Sequence, residues 1–191
     1  CPAAPVIISK NHLKKHKPQY FLINAGNANA ATGQKGEEDV NILCKEVSNL
    51  VGCLKEEVLM FSTGVIGEPL PTAKILNCLS ELTCNLKESG WSEASQSIMT
   101  TDTFPKIVEK NFLLDHRSYN LVGVCKGSGM IQPNMATMLA FVATDLPLTQ
   151  RAVEEISQEA LTLGFNKITV DGETSTNDSL TSFNSSVSSG V

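Results

Sequence analysis

The sequence lacks an excess of positive charge. Lys and Arg number 15 against 20 Asp and Glu, the formal net charge is -5, and the chain has only 3 histidines. A protein that binds nucleic acid or an anionic membrane through its charge needs a basic patch or stripe. We therefore expect neither nucleic acid nor a membrane as a partner, and the composition favours a small-molecule ligand.

Metal-binding and membrane-spanning patterns are also missing. The 6 cysteines form no CxxC pair, and no histidine stands near them at ligand spacing. No apolar stretch approaches the roughly 18 residues that a membrane-spanning helix needs. No charged segment followed by an apolar run opens the chain. We expect no metal, cysteines that are reduced and buried, and a soluble cytoplasmic protein.

Predicted strands and helices alternate along the chain. Short apolar runs predict strands at residues 20–24, 58–62, 119–125, 137–144 and 167–170. Apolar residues at helical spacing predict helices at residues 36–51 and 92–99, one that begins at Pro71, and one between Thr149 and Gly164. The serine-rich tail after Ser179 has the composition of a linker, but its apolar spacing favours the start of a further helix from residue 180. This alternation predicts a layered α/β fold. A length of 191 residues is enough for one domain with its own core.

Thr137 follows Ala136 directly and stands at the start of a predicted strand. A threonine hydroxyl in such a position can attack the carbonyl of its own preceding peptide bond if that bond is strained, and hydrolysis of the ester makes threonine a chain terminus. A free α-amine has a reference pKa of about 8, so it can serve as general base for the hydroxyl of the same residue. From the residues alone, however, an Ala-Thr pair before an apolar strand is ordinarily just a strand start.

Motifs distributed over the whole chain resemble one family. They are CPAAPV (residues 1–6), LINAGNANA (22–30), STGVIG (62–67), IMTTDT (98–103), KGSGMI (126–131) with MATML (135–139), and VDGETSTND (170–178). In this order they resemble the ornithine acetyltransferase (glutamate N-acetyltransferase) family of arginine biosynthesis. The resemblance starts inside the family's N-terminal region and stops well before its C-terminus. We therefore expect the chain to be a portion of a longer precursor.

The resemblance implies a self-cleaving acetyltransferase that needs no cofactor. In the family, the precursor cleaves itself at the bond that matches Ala136-Thr137. The freed threonine accepts acetyl from N-acetylornithine and passes it to glutamate, which makes Thr137 the implied nucleophile. Monofunctional and bifunctional members share these motifs, so the use of acetyl-CoA as a further substrate stays open.

The resemblance also assigns other site residues. The family's Thr-Gly pair that stabilises the oxyanion matches Thr63 and Gly64, and a glycine turn after a strand is suited to aim an N–H at one point. The family's substrate-contacting threonine and lysine match Thr100 and Lys126, and a cation suits the carboxylate of an acetylated amino acid. Further substrate contacts of the family, among them an acidic residue, are expected beyond Val191.

Some of these residues also allow a purely structural interpretation. The asparagines of residues 24–30 are expected to bond the backbone of a tight turn that shapes the wall of the site. Residues 171–178 lack the order of acidic residues that a calcium loop requires, so we expect a structural turn near the active site. Without the resemblance, Lys126 would be interpreted as a solvated surface charge.

The predicted cut defines the expected organisation. Residues 1–136 would be the α-chain portion and residues 137–191 the start of the β chain, intertwined in one domain because strands that flank an internal cut must share a sheet. By resemblance we expect a heterotetramer of two α and two β chains. Two alternatives stay open. One is an amidase or aminopeptidase that uses the same nucleophile with water as the acceptor, and the other is an inactive fragment in which the Ala136-Thr137 bond persists.

Overall fold

The computed structural model of the chain describes residues 2–129, 138–168 and 175–184. They form two compact units, Cys1–Gly90 and Trp91–Val191. Each unit combines helices with its own sheet, which confirms the predicted α/β class. The predicted cut at Ala136-Thr137 falls inside the second unit, and both of its residues lie outside the described part of the chain. No helix of the described residues is long and apolar enough to cross a membrane.

The first unit is built around two parallel strands. Its elements are α1 (Ala4–Leu13), β1 (Tyr20–Asn27), α2 (Gly33–Val51), a short 3-10 helix (Lys55–Glu57), β2 (Val58–Val65) and α3 (Thr72–Cys84). Strands β1 and β2 pair in parallel from Tyr20↔Val58 to Gly26↔Gly64. Parallel strands need a crossover connection, and α2 provides it. The carboxyl ends of both strands therefore lie side by side.

Helix α2 lies where its apolar spacing predicted a helix. It begins at Gly33, one turn before the predicted start, and its fully buried residues include Val40, Leu43 and Cys44. These side chains form the core together with residues of β2 such as Val58 and Met60. A glycine follows the helix as Gly52, with the left-handed φ of 75° that a C-terminal stop requires.

Helix α1 was not predicted, and its polar side chains bond the main chain of β2. The Ser9 hydroxyl donates to the Met60 carbonyl at 2.9 Å and accepts from the Met60 N–H at 3.0 Å. The His12 ring donates from Nδ1 to the Val58 carbonyl at 2.8 Å. The helix has little apolar periodicity because these buried positions carry hydrogen-bonding side chains.

Helix α3 follows Pro71 as predicted, but it corrects the prediction of buried cysteines. Leu79 is the one residue of α3 that is buried, and Cys78 and Cys84 are exposed. A helix that packs on one side buries only one stripe of its surface, and these two cysteines lie off that stripe. Cys44 in α2 is buried, and burial raises the pKa of its thiol to about 12. All five cysteines in the described part of the chain are free.

The second unit contains a four-stranded sheet with the order β3-β4-β5-β6. Its elements are α4 (Trp91–Ser97), β3 (Lys106–Leu114), β4 (Arg117–Lys126), β5 (Leu139–Thr144), α5 (Gln150–Leu163), a 3-10 helix (Phe165–Lys167) and β6 (Ser179–Asn184). Strands β3, β4 and β5 are antiparallel neighbours, whereas β5 and β6 are parallel. Helix α5 is the crossover between the parallel pair, and the Thr149 hydroxyl caps it by accepting from the Ala152 N–H at 3.2 Å.

In this unit one strand was missed and two predictions fail. Strand β3 was not predicted; it forms a hairpin with β4 through Asp115 and His116, whose positive φ angles of 48° and 62° suit a two-residue turn. Lys167 was predicted to begin a strand but ends a 3-10 helix. The expected helix from residue 180 is wrong, because Leu180 and Phe183 pair with β5 as part of β6. Pairing with a neighbouring strand decides the structure of such short segments.

Candidate active site

Thr63 and Gly64 lie at the carboxyl end of β2, opposite Ala25 and Gly26 of β1. Thr63 is buried, and Gly64 has a positive φ of 130°. A Cβ at position 64 would lie 2.3 Å from the carbonyl carbon of Gly26. Only glycine therefore fits there, since the backbones of the two strands approach too closely for any side chain.

A β-bulge sits beside this pair. Asn27 is in register with both Thr63 and Val65, so the ladder shifts at the ends of the two strands. Bulges re-aim the main-chain groups and side chains next to them, and α/β proteins bind ligands at the carboxyl ends of parallel strands. The local geometry is compatible with an oxyanion hole at Thr63 and Gly64, which stays a prediction.

The asparagine motif of residues 24–30 covers the end of β1 and the turn after it, and its asparagines bond the main chain as the sequence predicted. Asn27 donates from Nδ2 to the carbonyls of Glu68 (3.2 Å) and Pro69 (3.1 Å), and its Oδ1 accepts the Asn29 N–H at 2.8 Å. Asn29 is fully buried and donates to the Gly36 carbonyl at 3.0 Å. These bonds tie the turn to the start of α2 and to the segment after β2, which fixes the surroundings of Thr63.

In the second unit, the structure brings the predicted substrate residues Thr100 and Lys126 together. Lys126, the last residue of β4, donates from Nζ to the Thr100 hydroxyl at 2.7 Å. The lysine is only 3% exposed, so it is not the solvated surface charge that its type alone would suggest. Thr100 stands on the exposed connection between α4 and β3. The pair thus joins a buried cation to a hydroxyl at the surface.

Asp102 organises this pair. Its Oδ1 accepts the Gly127 N–H at 2.8 Å and the Lys106 amino group at 2.5 Å, and its Oδ2 accepts the Thr100 N–H at 3.3 Å. One carboxylate therefore holds the main chain next to Thr100 and next to Lys126. Asp102 thus ties the segment that carries Thr100 to the end of β4.

The charges of this cluster influence each other. Burial lowers the pKa of Lys126, a shift that Asp102 opposes and Lys106 reinforces. Burial by itself would raise the pKa of Asp102, but hydrogen bonds from Lys106 and from the N–H groups of Gly127 and Thr100 outweigh it and lower that pKa. Asp102 therefore stays ionised. A substrate carboxylate at Lys126 would stabilise the charged amine that burial disfavours.

The strand register places Lys126 at one end of the sheet. Lys126 is opposite Leu139 of β5, and Leu139 is opposite Ser179 of β6. The chain enters β5 at this end, and the predicted nucleophile Thr137 precedes Met138 in the sequence. Strand β4, which comes before the predicted cut, and strand β5, which comes after it, are hydrogen-bonded neighbours.

Asp178 lies at the same end, just before β6. Its Oδ1 accepts the Met138 N–H at 2.8 Å, and the Ser179 N–H donates to the Met138 carbonyl at 3.0 Å. Of the acidic residues in the 171–178 motif, Asp171 and Glu173 lie outside the described residues. Among the residues that the structure describes, no group of three His, Cys, Asp or Glu could hold a metal ion.

Sequence reasoning did not single out Asp102, Lys106 or Asp178 as functional residues. Asp102 and Asp178 both lie inside motifs that carry the family resemblance, so position within a motif was the available signal. Lys106 carried no such signal. Its role depends on where the start of β3 places it relative to Asp102, which only the fold determines.

We predict that Asp102→Asn destabilises the chain by about 2 kcal/mol, because it removes a charge-assisted bond from a buried carboxylate. The Asp102 side chain is 1% exposed and that of Lys106 is 28% exposed. Glu155→Gln is the matched control, because it removes an i,i+4 ion pair with Arg151. The Glu155 side chain is 64% exposed and that of Arg151 is 87% exposed, so this loss should cost at most about 0.5 kcal/mol. Urea unfolding of both variants measures the difference, and equal losses would contradict the role given to Asp102.

Known proteins match this chain over most of its length. A sequence model of the ArgJ family matches residues 1–189. The arginine biosynthesis bifunctional protein ArgJ of Methylococcus capsulatus is 47% identical over 176 residues, which is 92% of this chain and 43% of that protein. ArgJ of Mesorhizobium japonicum is 42% identical over 183 residues, or 96% of this chain and 44% of that protein. The chain spans less than half the length of these curated relatives.

Two solved structures share the fold. The crystal structure of ArgJ from Bacillus halodurans superposes with a TM-score of 0.63 at 34% identity, covering 70% of this chain and 71% of that one. Ornithine acetyltransferase from Mycobacterium tuberculosis, solved in complex with ornithine, gives a TM-score of 0.59 at 29% identity, with 69% and 70% covered. These matches confirm the resemblance that the motifs indicated, and the chain belongs to the ArgJ family.

Proposed function

We propose that the protein carrying this chain is a glutamate N-acetyltransferase, which moves acetyl from N-acetylornithine to glutamate through an acetyl ester of Thr137. The observation that carries the proposal is the Lys126–Thr100 pair, which joins a buried amine to a hydroxyl at 2.7 Å. Lys126 pairs with Leu139 of β5, and Leu139 is close to Thr137 in the sequence. Membership of the ArgJ family supports the reaction class.

The Lys126 amine is suited to hold a substrate carboxylate. N-acetylornithine and glutamate both carry an α-carboxylate, so one cation can serve the donor and the acceptor in turn. Burial lowers the pKa of Lys126, and a substrate carboxylate beside the amine would favour its charged form. The Thr100 hydroxyl, already bonded to the amine, can donate to the same carboxylate. Lys126 thus positions the substrate, and it is not the group that moves protons.

Self-cleavage would create the catalytic group. The Thr137 hydroxyl attacks the carbonyl carbon of Ala136, the carbon–nitrogen bond between the two residues breaks, and the nitrogen takes a proton to become an amine. Water then hydrolyses the resulting ester, which leaves a carboxylate on Ala136 and restores the Thr137 hydroxyl. The new α-amine is placed to act as general base for that hydroxyl.

Acetyl transfer would follow as a double displacement. The Thr137 hydroxyl gives its proton to the α-amine and attacks the acetyl carbonyl of N-acetylornithine, and ornithine leaves as an amine that receives the proton. The amine of glutamate then attacks the ester, so that N-acetylglutamate leaves and threonine is regenerated. Thr63 and the Gly64 N–H would stabilise the oxyanion in both steps.

The same proposal covers the organisation of the enzyme. Residues 1–136 would belong to the α chain and residues 137–191 to the β chain, and the pairing of β4 with β5 supports their staying together after the cut. We further propose a heterotetramer of two α and two β chains, with no cofactor, and acetyl-CoA as a second acetyl donor. Native mass measurement and an assay with acetyl-CoA and glutamate test these points.

Intact-mass measurement of the full-length protein, before and after brief incubation with N-acetylornithine, tests the proposed function. We expect a downstream fragment that begins at Thr137 and gains one acetyl group, which glutamate then removes. Release of acetate at the same rate without glutamate would indicate the amidase alternative, with water as the acceptor. A single uncut mass without an adduct would contradict self-cleavage and favour an inactive precursor.

A further inference from the structure

Asp178 holds the residue that follows the predicted nucleophile. The Met138 N–H donates to Asp178 Oδ1 at 2.8 Å, and the Met138 carbonyl accepts the Ser179 N–H at 3.0 Å. Both main-chain groups of Met138 are thus bound by consecutive residues at the start of β6. The regular β5–β6 ladder begins only one step later, at Leu139↔Ser179. The Asp178 side chain therefore extends the ladder toward Thr137.

The bond to Met138 restrains a group that belongs partly to Thr137. The Met138 N–H and the Thr137 carbonyl are parts of one peptide group, and a peptide group is planar. A hydrogen bond that fixes the N–H consequently restricts the orientation of the whole link between residues 137 and 138. Asp178 acts on the threonine through this link and needs no contact with the substrate.

Burial of the Asp178 carboxyl has an energetic cost that a bond serving only the fold does not explain. Its second oxygen, Oδ2, is buried and has no hydrogen-bond partner in the described part of the chain. Burial raises the pKa of Asp178 to about 7, although the N–H groups of Met138 and Ser175 act to lower it. Buried oxygens that lack a hydrogen-bond partner are uncommon in native proteins. Oδ1 can accept the Met138 N–H whether or not the carboxyl is ionised.

We propose that Asp178 is a positioning residue for Thr137, which orients the threonine both for cleavage of the Ala136-Thr137 bond and for attack on the acetyl group. The inference rests on the proposed function. Since the bond to Met138 requires an acceptor and no charge, Asp178→Asn should keep the effect and Asp178→Ala should lose it. A displacement of about 1 Å near a reacting atom can reduce the rate about 10²-fold.

The other end of β5 offers a matched control. Asp145, which follows the strand, also binds a main-chain amide, since its Oδ1 accepts the Asn120 N–H at 2.7 Å. Its Oδ2 accepts the Asn120 side-chain amide at the same distance, and the residue is half-buried. Asp145→Ala therefore removes a comparable bond from the same sheet at the end away from Thr137. Asp178→Ser, with a shorter acceptor, replaces Asp178→Ala if the alanine variant does not fold.

The experiment follows cutting of the full-length protein by intact mass and then measures kcat and KM of the cut enzyme with N-acetylornithine. We expect Asp178→Ala to cut at least about tenfold more slowly and to lose kcat with KM nearly unchanged. Asp178→Asn should remain within about threefold of wild type, and Asp145→Ala should match wild type, since it disturbs no reacting group.

Three outcomes would overturn the inference alone while wild type still cuts itself. In the first, Asp178→Ala cuts itself as fast as wild type. In the second, Asp145→Ala cuts as slowly as Asp178→Ala. In the third, Asp178→Asn cuts as slowly as Asp178→Ala. Wild type that remains uncut would overturn the proposed function and, with it, this inference. The two failures are therefore distinguishable in one series of variants.

Discussion

Thr137→Ala should leave the full-length protein uncut and reduce acetyl transfer by at least about 10³-fold, the scale of loss seen when a nucleophile is removed. The methyl group of alanine cannot attack the Ala136 carbonyl, and without the cut no α-amine forms to act as base. Intact mass shows the cut, and an assay of N-acetylglutamate formation shows the transfer.

Thr137→Ser is the control for this substitution, because it keeps a hydroxyl and loses only the methyl group. It should still cut, more slowly than threonine, and should retain measurable transfer. If Thr137→Ala were processed at the same bond, the nucleophile would have to be another residue. Cutting of Thr137→Ala without transfer would limit the role of Thr137 to acetyl transfer.

Gly64→Ala should reduce kcat by about 10²-fold or more, because it disturbs the proposed oxyanion hole. A Cβ at this position meets the Gly26 carbonyl carbon at 2.3 Å and the Asn27 nitrogen at 2.6 Å. Backbone atoms of a paired strand cannot move aside cheaply, so the end of β2 must shift. Steady-state kinetics and thermal unfolding measure the two consequences.

Gly26→Ala separates the clash from the cost of a positive φ. Gly26 has a φ of 103°, but nothing lies within 4 Å of a Cβ built there. Gly26→Ala should therefore cost about 1–2 kcal/mol of backbone strain and change kcat much less than Gly64→Ala. Equal kinetics of Gly26→Ala and Gly64→Ala would contradict the importance of the close approach.

Thr63→Val, which keeps the shape of the side chain and removes its hydroxyl, should lower kcat with little change in stability.

The elements that sequence reasoning predicted are those whose signals are local. Helix α2 has a regular apolar stripe and a terminal Gly52, so its spacing alone was enough. Helix α1 was missed because its buried face includes Ser9 and His12, whose role is to bond β2. Strand β6 was mistaken for a helix because Leu180 and Phe183 are at helical spacing, whereas pairing with β5 makes the segment a strand.

Some residues of the candidate site were identified from the sequence, and others could be identified only from the fold. Thr63, Gly64, Thr100 and Lys126 were identified because each matches a residue of a family motif. The contact between Lys126 and Thr100 and the arrangement of charges around Asp102 join residues far apart in the sequence. No pattern in the chain specifies which carboxylate receives which N–H, so Asp102 and Asp178 required the folded structure.

The contacts of helix α1 also bear on the behaviour of the protein at high concentration. An open strand edge offers unpaired N–H and C=O groups to strands of other molecules and so promotes aggregation. Ser9 occupies the N–H and the carbonyl of Met60, and His12 occupies the carbonyl of Val58. These groups of β2 are thereby closed to pairing with another chain. The polar side chains of α1 thus occupy the hydrogen-bonding groups that a further strand would use beside Val58 and Met60.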